Sequence, residues 1–306
     1  MKALLICPAE RPGVATLAQR RALAALPFLG LGLVEHWLQH FALRGAKRVT
    51  ILAADRANEI AALVDDGARW GLETEVVPVA NEPFIDEARA RHRGRDTGWL
   101  PEPFDVVVAD RLPALPNHRP FYSLADFFAT TRDLMPHALT PDRVGLHEVR
   151  PGVWFGFHAR VAPNAQLRAP CWIGDDTYVG PGAIIGPNAV LENRVLVEEG
   201  AHVFDSIVGP DTFVGGVTEI AHSIAWGGQL TDWLPGSSVR VAEDFLLCSL
   251  EKSPHAASPA AWARAKVGTL SRAIATPVSG LLRRARSSLS APPPQTPGAV
   301  DSRVPF

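Results

Sequence analysis

The chain is poor in cysteine: three in 306 residues, Cys7, Cys171 and Cys248, widely spaced and without a Cys-x-x-Cys pair. That excludes a disulfide framework or a cysteine-built zinc site and points to a reducing compartment. An excess of charge of either sign is missing as well, since 30 Lys and Arg stand against 32 Asp and Glu for a formal net charge of −2. No global field draws such a chain to nucleic acid, and none is expected as a partner. Long hydrophobic runs are also lacking. The longest, Ala22 to Val34, is interrupted by Pro27, Gly30 and Gly32 and falls short of the roughly 20 residues of a membrane-spanning helix. The opening Met1-Lys2-Ala3-Leu4-Leu5-Ile6-Cys7-Pro8 is too brief for a signal-peptide core and ends in a turn. The expectation is a soluble cytoplasmic protein, at most peripheral to the inner membrane face.

What is present is a period of six. Phe155, Val161, Leu167, Ile173, Val179, Ile185, Leu191, Val197 and Val203 follow one another at six-residue spacing. Four positions after each stands a mostly small residue: Ala159, Ala165, Cys171, Thr177, Ala183, Ala189, Val195, Ala201 and Ile207. The register then slips by one, and Val208, Val214 and Ile220 continue it, with Thr212, Thr218 and Ile224 at the small position. Short strands that each turn one apolar side chain into a narrow prism need corners tolerant of tight bends, which Gly, Asn and Asp supply. These residues resemble the hexapeptide-repeat family, whose left-handed parallel β-helix takes three hexapeptides per coil. About four coils fit between residues 155 and 225.

Ahead of the repeat, apolar strands at Lys2–Cys7, Arg48–Ala53 and Glu73–Val79 alternate with helices at Leu33–Arg44 and Ala57–Leu63, and a further strand, Phe104–Ala109, ends at Asp110. This βαβαβ order predicts a Rossmann-like parallel sheet with covering helices. The strings Leu33-Val34-Glu35-His36, Arg44-Gly45-Ala46 and Asp65-Asp66-Gly67-Ala68-Arg69-Trp70-Gly71-Leu72 resemble the sugar-phosphate nucleotidyltransferases, the nucleotide-sugar pyrophosphorylases, several of which also carry a C-terminal β-helix. The resemblance implies attack of a sugar-1-phosphate on a nucleoside triphosphate, with Mg²⁺ held by carboxylates and phosphates met by backbone amides and cations. Carried onto this sequence, it assigns Asp110 as the catalytic and metal-binding residue and Arg11, Gly13 and Arg20 to the nucleotide phosphates. The departures are explicit. The turn Pro8-Ala9-Glu10-Arg11-Pro12-Gly13 has one glycine, two prolines without amide donors and a carboxylate that repels triphosphate. Leu23 stands where the signature lysine belongs, and only about 45 residues separate Asp110 from the β-helix, where the family builds its sugar-binding half.

His36 and His40, four apart on one helix, are expected to serve packing rather than a metal. The basic stretch Arg89 to Arg95 reads as a solvated loop. Trp226, Trp233 and Phe245-Leu246-Leu247 are expected to cap the open end of the prism. From 258 to 290 a basic amphipathic helix is predicted, started by Ser258-Pro259 and broken at Pro277, a candidate contact for an anionic membrane surface or a partner. A disordered tail follows.

The organisation read from the sequence is therefore a truncated nucleotidyltransferase-like α/β domain at 1–150, the β-helix with its cap at 151–250, the basic helical segment at 251–290 and the tail at 291–306. The leading functional expectation is nucleotide-sugar synthesis in polysaccharide or cell-envelope pathways, with nucleotide and sugar phosphate as ligands, Mg²⁺ as cofactor and a homo- or hetero-oligomer formed through the β-helix. A catalytically silent regulatory or scaffold relative is the second reading. A hexapeptide acyltransferase is the third, in which His202 or His222, among His158, His202 and His222, deprotonates a hydroxyl or amine acceptor.

Overall fold

Residues 1–93, 97–140 and 143–252 are described in a computed structural model of the chain. The helix and tail expected beyond residue 252 lie outside the described residues. Four parallel strands form the N-terminal sheet: β1 (Lys2–Cys7), β2 (Arg48–Ala53), β3 (Glu73–Pro78) and β4 (Val106–Val108). Their order is β3-β2-β1-β4, and β1 and β2 pair along their whole length from Lys2↔Arg48 to Cys7↔Ala53. A central parallel strand is covered on both faces, which accounts for the unbroken apolar run of β1. Its alternation still divides the layers: Ala3, Leu5 and Cys7 join one core, while Leu4 and Ile6 join another with Leu52, Ala88 and Val106.

Helix α1 (Leu33–Leu43) buries Val34, Trp37, Leu38 and Phe41 on one stripe, and the chain leaves it through Gly45 at φ +82°. Helix α2 spans Ala57–Val64 and α3 spans Ile85–His92. The basic stretch is not a free loop. Within it, Arg89 and Arg93 both bind the fully buried Asp105 carboxylate, at 2.9 and 2.6 Å, because a buried anion must be paired to be tolerated. Helix α4 (Leu124–Leu134) opens on Ser123, whose hydroxyl accepts from the Asp126 amide at 3.1 Å. No helix among the described residues is long and apolar enough to cross a membrane.

The repeat winds into a β-helix with three faces. The first is built from Val153–Phe155, Cys171–Ile173, Ala189–Leu191, Ser206–Val208 and Ser223–Trp226. The second runs through Arg160–Val161, Tyr178–Val179, Leu196–Val197 and Thr212–Val214, and the third through Gln166–Leu167, Ile184–Ile185, His202–Phe204 and Glu219–Ala221. Ile173, Val179, Ile185, Leu191, Val197, Val203, Val208, Val214 and Ile220 fill the interior as the period predicts. At one corner His158, Asp176, Arg194 and Asp211 all adopt positive φ, with Asp176 paired to His158 and Asp211 to Arg194.

The register slips twice, both times at the corner between the third and first faces. Cys171 pairs with Ala189 after 18 residues, but Ala189 pairs with Ser206 after 17. Ile207 and Ile224, expected at inward small positions, therefore point outward, and the buried Ser206 and Ser223 take the inward ones. With Trp154, Trp172 and Val190 they make an apolar outer ladder that belongs to the core of the α/β domain. Trp226 and Trp233 pack on that same core instead of closing the prism. Closure falls to the antiparallel strands Gln229–Asp232 and Ser238–Arg240, and to Leu247–Ser249, whose Leu247 enters the interior.

Candidate functional site

The turn after β1 lies where a parallel α/β sheet reverses its strand order, the usual place for a ligand. Here the protein fills it from within. The Glu82 carboxylate accepts from the Ala9 amide at 2.9 Å and from the Arg11 guanidinium at 2.8 Å. Gly13 is a close-packing position: a Cβ there would stand 1.9 Å from the Tyr122 carbonyl oxygen. Arg20 leaves this region altogether, donating to Gln229 Oε1 at 3.1 Å and lying over the Trp226 ring. Asp110 accepts from its neighbour Arg111 at 3.0 Å. No group of three His, Cys, Asp or Glu side chains suited to a metal occurs among the described residues, and Asp110, with a guanidinium as its partner, does not fit an Mg²⁺ site. Of the residues assigned to nucleotidyl transfer, Arg11 is taken up by Glu82, Arg20 by Gln229 and Asp110 by Arg111.

A different convergence occurs on the β-helix. At its twice-shortened corner Asn188, Asp205 and His222 stack on successive coils, all at positive φ (51°, 44° and 49°). Asn188 Nδ2 donates to Asp205 Oδ1 at 2.7 Å, and Asp205 Oδ2 faces His222 Nε2 at 3.8 Å. The Trp233 indole donates to the Asp205 carbonyl at 2.9 Å, and its ring stacks on Phe128 of α4 with centroids 4.7 Å apart and planes 9° from parallel. Phe204 closes the other side, 4.7 Å from His202 and 5.7 Å from His222 between ring centroids. A carboxylate held beside an imidazole between two aromatic walls can orient that imidazole and stabilise its charged form.

His202 forms no ion pair among the described residues; it lies on the open third face, in register with Glu219. His158 does have one, Asp176 at 3.3 Å, and Phe157 lies 3.7 Å from its ring between centroids, but this pair is the more exposed, at 58% and 53% against 50% and 29% for His222 and Asp205. Asp205 and Asn188 escape a search at hexapeptide spacing. Their signal is the interval of 17 residues from Asn188 to Asp205 and again to His222, visible once the short corner is recognised.

At the opposite end of the first-face strand Ala189–Leu191, the α/β domain and the β-helix share a buried carboxylate. Glu192, fully buried, accepts from the Leu29 amide at 2.9 Å and the Gly30 amide at 2.6 Å at the tip of a short hairpin. Asn193 Nδ2 donates to Gly30 O at 3.2 Å, and Arg143 donates to the Leu29 carbonyl while lying over the Trp172 ring. Burial pushes the Glu192 carboxyl up to about 7 against these hydrogen bonds.

The family model for bacterial transferase hexapeptide (six repeats) matches residues 170–205, so this segment carries the hexapeptide repeat of that transferase class. No curated protein matches the chain. Among solved structures, it is similar to a perosamine N-acetyltransferase from Caulobacter crescentus in complex with CoA and GDP-perosamine, at 16% identity over 64% of this chain and 97% of that one, with a TM-score of 0.19. It is also similar to the acetyltransferase domain of PglB from Neisseria gonorrhoeae in complex with acetyl coenzyme A, at 15% identity over 60% of this chain and 87% of that one, with a TM-score of 0.14. Scores this low transfer neither residue nor ligand to this chain.

The nucleotide-sugar pyrophosphorylase expectation is corrected. The family model that matches is a bacterial transferase hexapeptide model, over residues 170–205.

Proposed function

We propose that the chain is a hexapeptide-class acyltransferase that moves an acyl group from a coenzyme A thioester to a hydroxyl or amine of a sugar, with His222 as general base. The observation that carries this reading is the Asn188–Asp205–His222 ladder, in which a fixed carboxylate lies 3.8 Å from one imidazole nitrogen. Nδ1 of neutral His222 takes the proton of the acceptor as its oxygen or nitrogen attacks the thioester carbonyl carbon. Asp205 stabilises the imidazolium. The tetrahedral centre then collapses with cleavage of the C–S bond, and the imidazolium returns the proton to the leaving thiolate. Phe204 and Trp233 give the acceptor apolar walls on which a sugar ring can lie. Further copies of the chain are the expected partners, assembled through the β-helix.

The test is acyl-CoA consumption over a panel of amino- and hydroxy-sugars. His222→Ala is expected to lower the rate by about 10²–10⁴, the usual contribution of a positioned base. His158→Ala, His202→Ala and Asp110→Asn should each leave it within about threefold, as groups outside the proton path. Unchanged turnover in His222→Ala, or no consumption with any acceptor, would sink the proposal.

A further inference from the structure

Helix α4 has a second polar surface, turned to a recess of about 420 Å³ whose lining includes Asn117, His118, Arg119, Tyr122, Asp126 and Thr130. Its feature of note is an unmet cost. Thr130 is 1% exposed, and its hydroxyl has no hydrogen-bond partner among the described residues. Buried polar groups are nearly always paired, and an orphaned hydroxyl destabilises the protein that keeps it. Its neighbour Thr131 shows the ordinary solution, donating to the Phe127 carbonyl at 2.8 Å.

The other groups around the recess divide into fixed and unengaged. His118 Nε2 is held by Asp133 at 3.1 Å, and Asp126 Oδ2 accepts from the Ser123 hydroxyl. The carboxamide of Asn117, the guanidinium of Arg119 and the phenol of the 77%-exposed Tyr122 have no side-chain partner among the described residues. One cation, an amide, a phenol and an orphaned hydroxyl around a small hollow is a set that answers one kind of molecule. The guanidinium takes an anionic oxygen, with Lys a poorer substitute for its fork. Thr130, Asn117 and the free oxygen of Asp126 take hydroxyls, and Tyr122 offers a ring face.

From this set we infer that the recess binds a hydroxylated organic anion of about hexose size, a sugar bearing a carboxylate or a phosphate. The Thr130 hydroxyl reaches it by rotation about χ1, which in a helix has two accessible wells for threonine. The inference stands apart from acyl transfer, since the recess is a binding site read by affinity and needs no activity at His222.

The experiment is calorimetric titration of the full chain with glucuronate, glucose 6-phosphate, glucose and inorganic phosphate. At least one sugar anion should bind about tenfold more tightly than glucose or inorganic phosphate, the margin a charge-assisted contact adds. The two anionic arms tell carboxylate from phosphate. Arg119→Gln should weaken the binding about tenfold, and Thr130→Val about fivefold, by loss of one hydrogen bond. Thr130→Val should also hold or raise the melting temperature of the free protein, because it removes an unpaired buried hydroxyl. A merely structural threonine would lose stability and leave affinity alone. The inference is overturned if neither sugar anion saturates, if inorganic phosphate binds as well as the sugar anions, or if affinity survives either substitution.

Discussion

The first and third faces of the β-helix share one interior and differ in what they present outward. Both send alternate residues into the same aliphatic column: Ile173, Leu191 and Val208 from the first, and Ile185, Val203 and Ile220 from the third. Outward, the first face carries Trp154, Trp172, Val190, Ile207 and Ile224, all buried against the α/β domain, whereas the third carries Gln166, Ile184, His202 and Glu219, none of them buried. The inward ladder makes a prism, and any hexapeptide repeat has one. The outward ladder decides what the prism is used for. On one face it joins a domain; on the other it leaves polar groups and an imidazole to solvent, with the His222 corner at the seam where the two faces meet.

The largest test of that contrast is deletion of a side chain from each outer ladder. Trp172→Ala is expected to destabilise the protein by about 3–5 kcal/mol, the range for removal of a buried aromatic, although its indole nitrogen finds no partner among the described residues and the loss carries no hydrogen-bond component. Ile184→Ala on the third face should cost below about 1 kcal/mol, as a partly exposed side chain makes few packed contacts. Denaturant unfolding of both variants settles the comparison, and equal losses would mean that the α/β domain does not depend on the first face.

A smaller effect tests the first face's hold on the α/β domain through pH. Glu192 rises from 4.5 to about 7 on folding because it is fully desolvated. A carboxyl raised in the folded state is bound more tightly by its proton there, so its contribution is complete below pH 4.5 and is lost as pH climbs through about 7. The swing is about 3 kcal/mol for a shift of this size. Glu192→Gln has no proton to lose, and its stability should run flat over that window relative to the parent. A melting curve for the parent that is itself flat between pH 4.5 and 7, measured beside Glu192→Gln, would remove the buried carboxylate from the account.

These outcomes bear on what could be read in advance. The prism and its interior were legible because a period of six, held from Phe155 to Val203, has no other structural meaning. The α/β strands were legible because Lys2–Cys7 and Arg48–Ala53 are short, apolar and bounded by turns. The outer ladder was not seen, although Trp154 and Trp172 stand 18 residues apart, because hexapeptide spacing directs attention inward. The second register slip was missed since Ile224 satisfies an apolar pattern in either orientation. Arg11 and Arg20 were assigned to phosphate from their positions in the chain; their partners, Glu82 and Gln229, are 71 and 209 residues away, and no local pattern announces such pairs.

The smallest effect isolates the contact that spans the seam. Phe128 comes from α4 and Trp233 from the turn between the strands Gln229–Asp232 and Ser238–Arg240 that extend the first face, and their rings lie nearly parallel with centroids 4.7 Å apart. Stacking of this kind adds about 0.5–1.5 kcal/mol beyond the burial of area. Phe128→Leu keeps an apolar side chain of similar bulk and removes the ring, so a cycle with Trp233→Leu should return a coupling of about 1 kcal/mol. Phe128→Leu should also slow acyl transfer more than it destabilises the fold. Trp233 holds the Asp205 carbonyl through its indole N–H, and a looser indole lets the carboxylate drift from His222. Coupling near zero would mean that the α/β domain and the His222 corner are neighbours without being mechanically joined.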